Sequence, residues 1–433
     1  MLETIDLRSA NLEDDIDKIS QKLASRSKLE MKSVINSVSE IVNDVRISKD
    51  GAVIRYTEQF DGVKLTQSSI KVSQEEIECA LSKVDAKLIQ ILRKAKANIE
   101  NFHKNQLEKS WIDASKPGIL LGQVVRPLEC VGVYVPGGTA PLPSSVLMNV
   151  IPAKVAGVGN IVMCTPPSKD GTVSEVILAA AYEAGVDEIY KIGGAQAIAA
   201  MAFGTDTVKK VDKITGPGNI YVNTAKRLVY GYCDIDMFAG PSEIMIIADD
   251  SAKPEYVAAD MLSQAEHDVL AASVLVTTSE TVAEQVKYHL ISQSEALPRK
   301  NIIADSLSQY GAAVLVKDMK DAAEIANLIC PEHLELCVEE PFNVLGAIKN
   351  AGAVFLGNYS PEPLGDYFAG PNHVLPTSGT AKFFSPLGVY DFIKKMSIIS
   401  YSREELMKVA EDVYKFAKAE GLDAHANAIS IRK

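Results

Sequence analysis

An α/β fold built from two sheet domains with incomplete Rossmann-like strand–helix units, one inserted in the other, is what this sequence predicts. Three observations carry that prediction. From residue 119 to about 357, short apolar runs alternate with helical segments, the pattern of parallel strands joined by crossover helices. The first 110 residues instead show apolar residues at helical spacing. At roughly 150 residues per domain, the 433 residues, 47% hydrophobic and 23% charged, suffice for two large domains or three ordinary ones with sizeable cores.

In chain order, helices are expected over 11–26, 30–45 and 49–60, followed by a long helical stretch over 74–108. The strands that follow are ILLGQVV, CVGVYVPG, NIVMCTP, EIYKIGG, VDKITG, EIMIIAD, ASVLVTT, AAVLVKD and GAVFLG, each closed by Gly, Pro, Asp or a polar residue. Tyr134 to Gly240 reads as a self-contained set of four units between the clusters YVPGG and FAGPSE. The division expected is an N-terminal helical extension (1–25), a main α/β domain (26–133 and 242–386), an inserted α/β domain (134–241) and a C-terminal extension (387–433). That last piece, a strand over 389–401 and a helix over 403–419, is too small for a core of its own. It must pack on something else, such as a partner chain.

Composition excludes several function classes. Lys plus Arg number 44 against 56 Asp plus Glu, a formal charge of −12 with no basic block, which disfavours nucleic acid and anionic membranes as partners. No apolar run approaches the ~18 residues of a membrane span, and the acidic start MLETIDLRSANLEDD is unlike a signal peptide. A cytoplasmic location is expected. The six cysteines form no C-x-x-C pair, as expected of reduced thiols.

No G-x-G-x-x-G fingerprint occurs, so a Rossmann motif does not announce a dinucleotide. Three glycine turns each open a helix after a strand: Gly137-Gly138, Gly193-Gly194 and Gly216-Pro217-Gly218-Asn219. Such turns let backbone amides approach an anionic group, or simply allow tight strand-to-helix packing. Tyr134, Gln196 and Asn219 stand at or just beyond strand ends, where open sheets collect ligands.

Of six histidines, His103 and His289 lie on charged helical stretches and read as solvated. His267 follows a helix whose apolar stripe is Val257, Ala258, Met261, Leu262 and Ala265. Gln264, at the stripe's edge, is one turn away and can share a site with it. Glu332 and His333 are adjacent, and a straight strand would turn them apart, so a common site needs a turn there. The Gly-, Pro- and Ser-rich stretch 357–379 is longer than an ordinary connection and carries Asp366 and His373. Glu420 and His425 follow the last long helix. Gln264, His267, Asp366 and His425 make a possible metal set whose amide ligand is unusual for zinc and would also suit manganese or cobalt.

Taken together, YVPGGTAPLPSSVLMNVIPAKVAG, GGAQAIAAMAFGT, VDKITGPGNIYV, DMFAGPSEIMIIAD, DMLSQAEHD, PEHLEL, GDYFAGPNHVLPTSGTAKFFSPLGV and AHANAISIR resemble, in that order, the histidinol dehydrogenase family over essentially the whole chain. The resemblance implies NAD+-dependent oxidation of L-histidinol through the aldehyde to L-histidine, with two NAD+ per turnover. It implies Zn2+ on Gln264, His267, Asp366 and His425, with the metal orienting the substrate. It makes His333 the base for the alcohol proton and Glu332 the residue that activates water. Ser242 and Glu420 join His333 and the metal ligands in holding substrate, while NAD contacts fall on Tyr134, Gln196 and Asn219. It also implies an intertwined homodimer in which Glu420 and His425 serve the neighbour's site.

Rival readings are a zinc-dependent dehydrogenase of another small amino or hydroxy alcohol, an aldehyde dehydrogenase using Cys330 as nucleophile, and a metal-stabilised dimeric binding protein that reduces no NAD+.

Overall fold

The computed structural model describes residues 2–8, 26, 31–137, 141–238 and 240–433. One parallel sheet has six strands: β1 (Glu3–Asp6), β9 (Glu243–Ala248), β10 (Ala272–Thr277), β11 (Ala312–Leu315), β12 (His333–Cys337) and β13 (Ala353–Leu356). Their spatial order is β1-β11-β10-β9-β12-β13. The inner strands β9, β10 and β11 are almost wholly apolar because both faces are covered. Met245, Ile247, Val274, Val276 and Leu334 face one core, while Ile244, Ile246, Leu275 and Leu315 face another that includes Val257, Ala258, Met261, Leu262 and Ala265. The expected apolar stripe of the Pro254–Ala265 helix is thus what it buries. The N-terminus departs from expectation: Glu3–Asp6 is an edge strand paired with β11, not helix. Most of the helix expected over 11–26 lies outside the described residues.

The second parallel sheet has five strands, β4 (Cys130–Tyr134), β5 (Asn160–Thr165), β6 (Glu188–Lys191), β7 (Lys213–Thr215) and β8 (Asp234–Ile235), in the order β6-β5-β4-β7-β8. Strand order reverses at β4, which pairs with β5 on one side and β7 on the other. Helices Met31–Asp61, Gln74–Lys83 and Ala86–Lys104 pack on this sheet's crossover helices, so the front helices grouped by sequence with 242–386 are covered here by the five-stranded sheet. The two helices expected over 30–45 and 49–60 form one element broken at Lys49, whose φ of 50° is outside the helical range. The stretch over 74–108 divides at Asp85, whose carboxylate caps the second helix by accepting from the Lys87 N–H.

His103 is a correction. It continues the apolar stripe of Leu92, Ala95 and Ile99, is fully buried, and its Nδ1 lies 2.8 Å from the Ile99 carbonyl. Its charged sequence neighbours point the other way, to solvent.

A third, antiparallel sheet was not foreseen: β3 (Ile119–Pro127) pairs with β2 (Trp111–Asp113) and with β14 (Ile393–Tyr401). The Arg403–Ala419 helix forms as expected, and Asp423–Ser430 folds back on it. Among the described residues these two helices find substantial packing only on each other. Phe416, Ile399 and Trp111 are left exposed.

Candidate active site

The charged site lies at the amino ends of β9 and β12. Helix Met319–Ile329 ends at Cys330 in a left-handed conformation, Pro331 follows, and a bend at Glu332 leads into β12 at His333. That bend lets the adjacent side chains converge, with Glu332 Oε2 and His333 Nδ1 3.8 Å apart. The backbone of Glu243 holds both. Its N–H donates to Glu332 Oε2 at 3.0 Å, and its carbonyl lies 3.2 Å from His333 Nδ1. An Nδ1–H donated there leaves Nε2 of the neutral ring as the proton acceptor. Nε2 is buried with no hydrogen-bond partner and points to Asp366 Oδ1 at 3.7 Å. The Glu243 side chain is anchored in turn by the buried Arg26 guanidinium and by the Ser378 N–H. Ser242 immediately precedes this hub.

Asp366 comes from the long stretch 357–379, which is no plain loop: it holds a single turn of π-helix over Gly365–Ala369. Such turns recur at functional sites. The stretch also straps the two parallel-sheet units together. Asn98 Nδ2 donates to the Phe368 carbonyl at 2.8 Å, and Asn372 Nδ2 donates to the Met148 carbonyl at 2.7 Å. His373 Nδ1 lies 3.1 Å from the Asp366 carbonyl.

Gln264 and His267 arrive from the C-terminal end of the Pro254–Ala265 helix. Gln264 is fully buried, with Nε2 3.4 Å from His267 Nδ1 and Oε1 unpartnered. His267 is open to solvent on its outer side, yet the protein around its ring desolvates it and lowers its pKa against the pull of Asp366.

The titratable groups are strongly perturbed. Burial pushes Glu332 up to about 8 despite the nearby His333. Burial alone would lower His333, but Glu332 and Asp366 outweigh it and raise the imidazole to about 10. Burial raises Asp366 less than His333 and the other histidines lower it, so it ends below its ordinary value. Perturbed groups of this kind mark functional sites.

Glu362 was missed by sequence reasoning. It is buried between prolines, accepts from Ser263 Oγ at 3.0 Å, and joins His333 and Asp366 in a group whose ligand atoms lie within 4.8 Å of one another. Its only sequence signal is an acid inside a Pro-rich segment.

Two of the expected site residues stand apart. Glu420 and His425 are exposed and line an open apolar groove of about 600 Å³ between the last two helices. Nothing among the described residues brings them to Asp366.

The expected cofactor residues gather at the carboxyl ends of the five-stranded sheet. Tyr134, at the end of β4, is buried, and its hydroxyl accepts from the Gly194 N–H at 3.1 Å. Burial pushes its pKa up to about 12. Gln196 is buried in the first turn of the Gly194–Phe203 helix with both amide atoms unpartnered. Asn219 is exposed and caps the Ile220–Val229 helix, accepting from the Tyr221 and Val222 N–H groups. Gly216 requires glycine: its φ is 117°, and a Cβ there would stand 2.0 Å from the Tyr134 carbonyl oxygen. The buried pair Lys226–Asp236 grips that glycine, with Lys226 Nζ donating to its carbonyl and Asp236 accepting from its N–H at 2.8 Å. Gly138 lies outside the described residues.

Cys330 makes a poor nucleophile. It is buried, its thiol is 2.9 Å from the Asn327 carbonyl, and burial raises its pKa.

A profile described as histidinol dehydrogenase matches residues 24–433. The histidinol dehydrogenase of Caldanaerobacter subterraneus subsp. tengcongensis is 58% identical over 414 residues, 96% of each chain. That of Heliobacterium mobile is 55% identical over 395 residues, 91% of this chain and 92% of that one. The crystal structure of histidinol dehydrogenase from Elizabethkingia anophelis superposes with a TM-score of 0.92 at 41% identity, covering 100% of this chain and 98% of that one.

Proposed function

From the premise that this chain belongs to the histidinol dehydrogenase family, and so is an enzyme of histidine biosynthesis, we propose that it oxidises L-histidinol through L-histidinaldehyde to L-histidine with Zn2+ and two NAD+. The observation that carries this reading is His333: Nδ1 is tied to a backbone carbonyl and Nε2 is left bare in a buried, acid-lined site. Nε2 takes the hydroxyl proton as the carbinol carbon gives up hydride. Glu332, held by the Glu243 N–H, then takes a proton from the water that adds to the aldehyde; it does so as the carboxylate, the form that prevails above its raised pKa of about 8. His333 returns its proton to the former carbonyl oxygen, and the resulting gem-diol gives a second hydride to NAD+, one hydroxyl proton to His333 and the other to solvent as it becomes the carboxylate.

The donors present fit a zinc ion. The orphaned Gln264 Oε1, the His267 imidazole and the Asp366 carboxylate are oxygen and nitrogen ligands of the right kind, and His425 of a second subunit makes the fourth. An ion held there would supply positive charge that orients the amino alcohol and opposes the pull of Asp366 on His333. Ser242, His333 and Glu420, with the metal ligands, hold the substrate. Tyr134, Gln196 and Asn219 hold NAD+, which accepts hydride in each half-reaction, and the unpartnered Gln196 amide fits a ligand there.

Following NADH absorbance after adding L-histidinol tests the reading. Two NADH per histidinol are expected; one NADH with accumulating aldehyde, or none, contradicts it. The shared site is tested by mixing His425→Asn and His333→Asn chains and verifying subunit exchange. If a second subunit supplies His425, one site in each mixed dimer is intact, and activity recovers to about a quarter of wild type for statistical pairing. No recovery would show a site built within one chain.

A further inference from the structure

Unpartnered polar groups cluster at the carboxyl edge of the five-stranded sheet beyond those the proposed cofactor contacts use. Thr215, at the end of β7, is fully buried with Oγ1 unpartnered. Asp61, at the end of the Met31–Asp61 helix, has a buried Oδ2 and no hydrogen bond or ion pair among the described residues. A buried carboxylate oxygen without a donor is costly and rare, so its position calls for a partner that arrives from outside.

Asp61 sits beside the proposed cofactor site. Its charge bears on the Tyr134 hydroxyl. Val63 and Leu65, which follow it, pack in one core with Tyr134, Ile192 and Ala195. Gly62, between Asp61 and Val63, takes a φ of 72°, and no heavy atom lies within 4 Å of where its Cβ would stand, so the backbone beside the carboxylate is not walled in. Burial raises the Asp61 carboxyl to about 6, which still leaves it largely ionised and accepting above neutrality.

The face that Asp61 occupies sets which part of a dinucleotide it meets. The catalytic strap 357–379 is tied to helices Ala86–Lys104 and Pro143–Ala156 on one face of the sheet. Asp61 belongs to the helix packed on the opposite face, against Gly194–Phe203 and Ile220–Val229. A dinucleotide whose nicotinamide reaches His333 therefore extends its adenosine half toward Asp61. An acceptor-only carboxylate matches a ribose cis-diol and repels a phosphate at the same carbon. We propose that Asp61 accepts the hydroxyls of the adenosine ribose of NAD+ and excludes the 2′-phosphate of NADP+, making it the residue that sets cofactor choice. This rests on the NAD+ reading above.

Calorimetric titration of the zinc-loaded enzyme with NAD+, NADP+ and 2′-deoxy-NAD+ tests it, in wild type and in Asp61→Asn, with circular dichroism as the check on folding. Wild type is expected to bind NAD+ about ten- to a hundredfold more tightly than 2′-deoxy-NAD+, the worth of a hydrogen bond to a charged group. It should prefer NAD+ to NADP+ by at least as much. In Asp61→Asn the NAD+ affinity should drop and the NAD+/NADP+ ratio should fall toward one. A variant that keeps the wild-type ratio, or a wild type that binds 2′-deoxy-NAD+ as tightly as NAD+, overturns the assignment. The second arm needs no variant, so a misfolded Asp61→Asn does not rescue the idea. A wild type that binds neither dinucleotide refutes the NAD+ reading itself, and the role of Asp61 with it.

Discussion

The two parallel sheets present opposite ends to ligands. In the five-stranded sheet the candidate cofactor residues stand at the carboxyl ends of strands, where helices Gly194–Phe203 and Ile220–Val229 begin. In the six-stranded sheet they stand at the amino ends, where helices Pro254–Ala265 and Met319–Ile329 finish. Helix N-termini carry partial positive charge and bare N–H groups, and C-termini carry partial negative charge. The first edge thus suits the phosphates of a dinucleotide, and the second suits a cation and imidazolium groups. The polar groups follow the same division. Beside Asp61 and the paired Lys226 and Asp236, the carboxyl edge carries neutral side chains such as Tyr134, Gln196 and Thr215, while Glu332, His333, Glu362 and Asp366 crowd the amino edge. On the proposed reading, one chain separates cofactor binding from proton chemistry by using opposite ends of two similar sheets.

Substitutions that strike one edge at a time can break this division. The largest effect is expected of His333→Asn, which should lower kcat by ~10²–10⁴-fold, the usual worth of a general base. NAD+ affinity measured by calorimetry should stay as in wild type. Its mirror image is Lys226→Met at the other edge. The change leaves Asp236 buried without its cation and releases the Gly216 turn, at a cost of about 3–5 kcal/mol in denaturant unfolding. In the protein that remains folded, KM for NAD+ should rise with little change in kcat. If each variant altered both binding and chemistry to a similar degree, the separation of edges would be lost.

The smallest effect sharpens the comparison through pH. Behind the amino edge, burial and the nearby Asp260 raise the Glu335 carboxyl well above its ordinary value, and Asp260 itself rises to about 6 by burial. A raised carboxyl binds its proton more tightly in the folded state. Its stabilising contribution is therefore complete below its unfolded value and is lost as pH climbs through its folded one. Glu335→Gln removes that loss, so its Tm should exceed that of wild type by a margin that widens from pH 5 to pH 8, by roughly 2–4 °C. A constant margin would show that Glu335 does not titrate with folding.

Much of this could be read before any tertiary contact was known. The nine apolar runs became strands, the break near Lys49 and the stripe of the Pro254–Ala265 helix were visible in local periodicity, and the turns Gly193-Gly194 and Gly216-Pro217-Gly218-Asn219 stood where helices begin, whereas the helix after Gly137 starts only at Pro143. Strands β1, β2, β8 and β12 escaped notice because they are short or, in HLELC, because charged residues interrupt the apolar run. His103 was misread for a related reason: its neighbours are charged, yet its own position continues a buried stripe.

Sequence alone determined the residue types available, their order, and the elements that carry them, because helical and strand periodicity are local properties of the chain. The eight segments in family order also pointed to the activity. Only the tertiary structure decided which groups meet. It placed the Glu243 backbone under both Glu332 and His333, which selects the ring nitrogen left bare, and it brought Glu362 into the acid cluster from a Pro-rich stretch with no pattern of its own. It also left Glu420 and His425 on a helical pair away from Asp366. Convergence of this kind depends on crossovers that join residues far apart in sequence, such as Glu243 with Glu332 and with Ser378, and no local period encodes where two distant strand ends come to lie side by side.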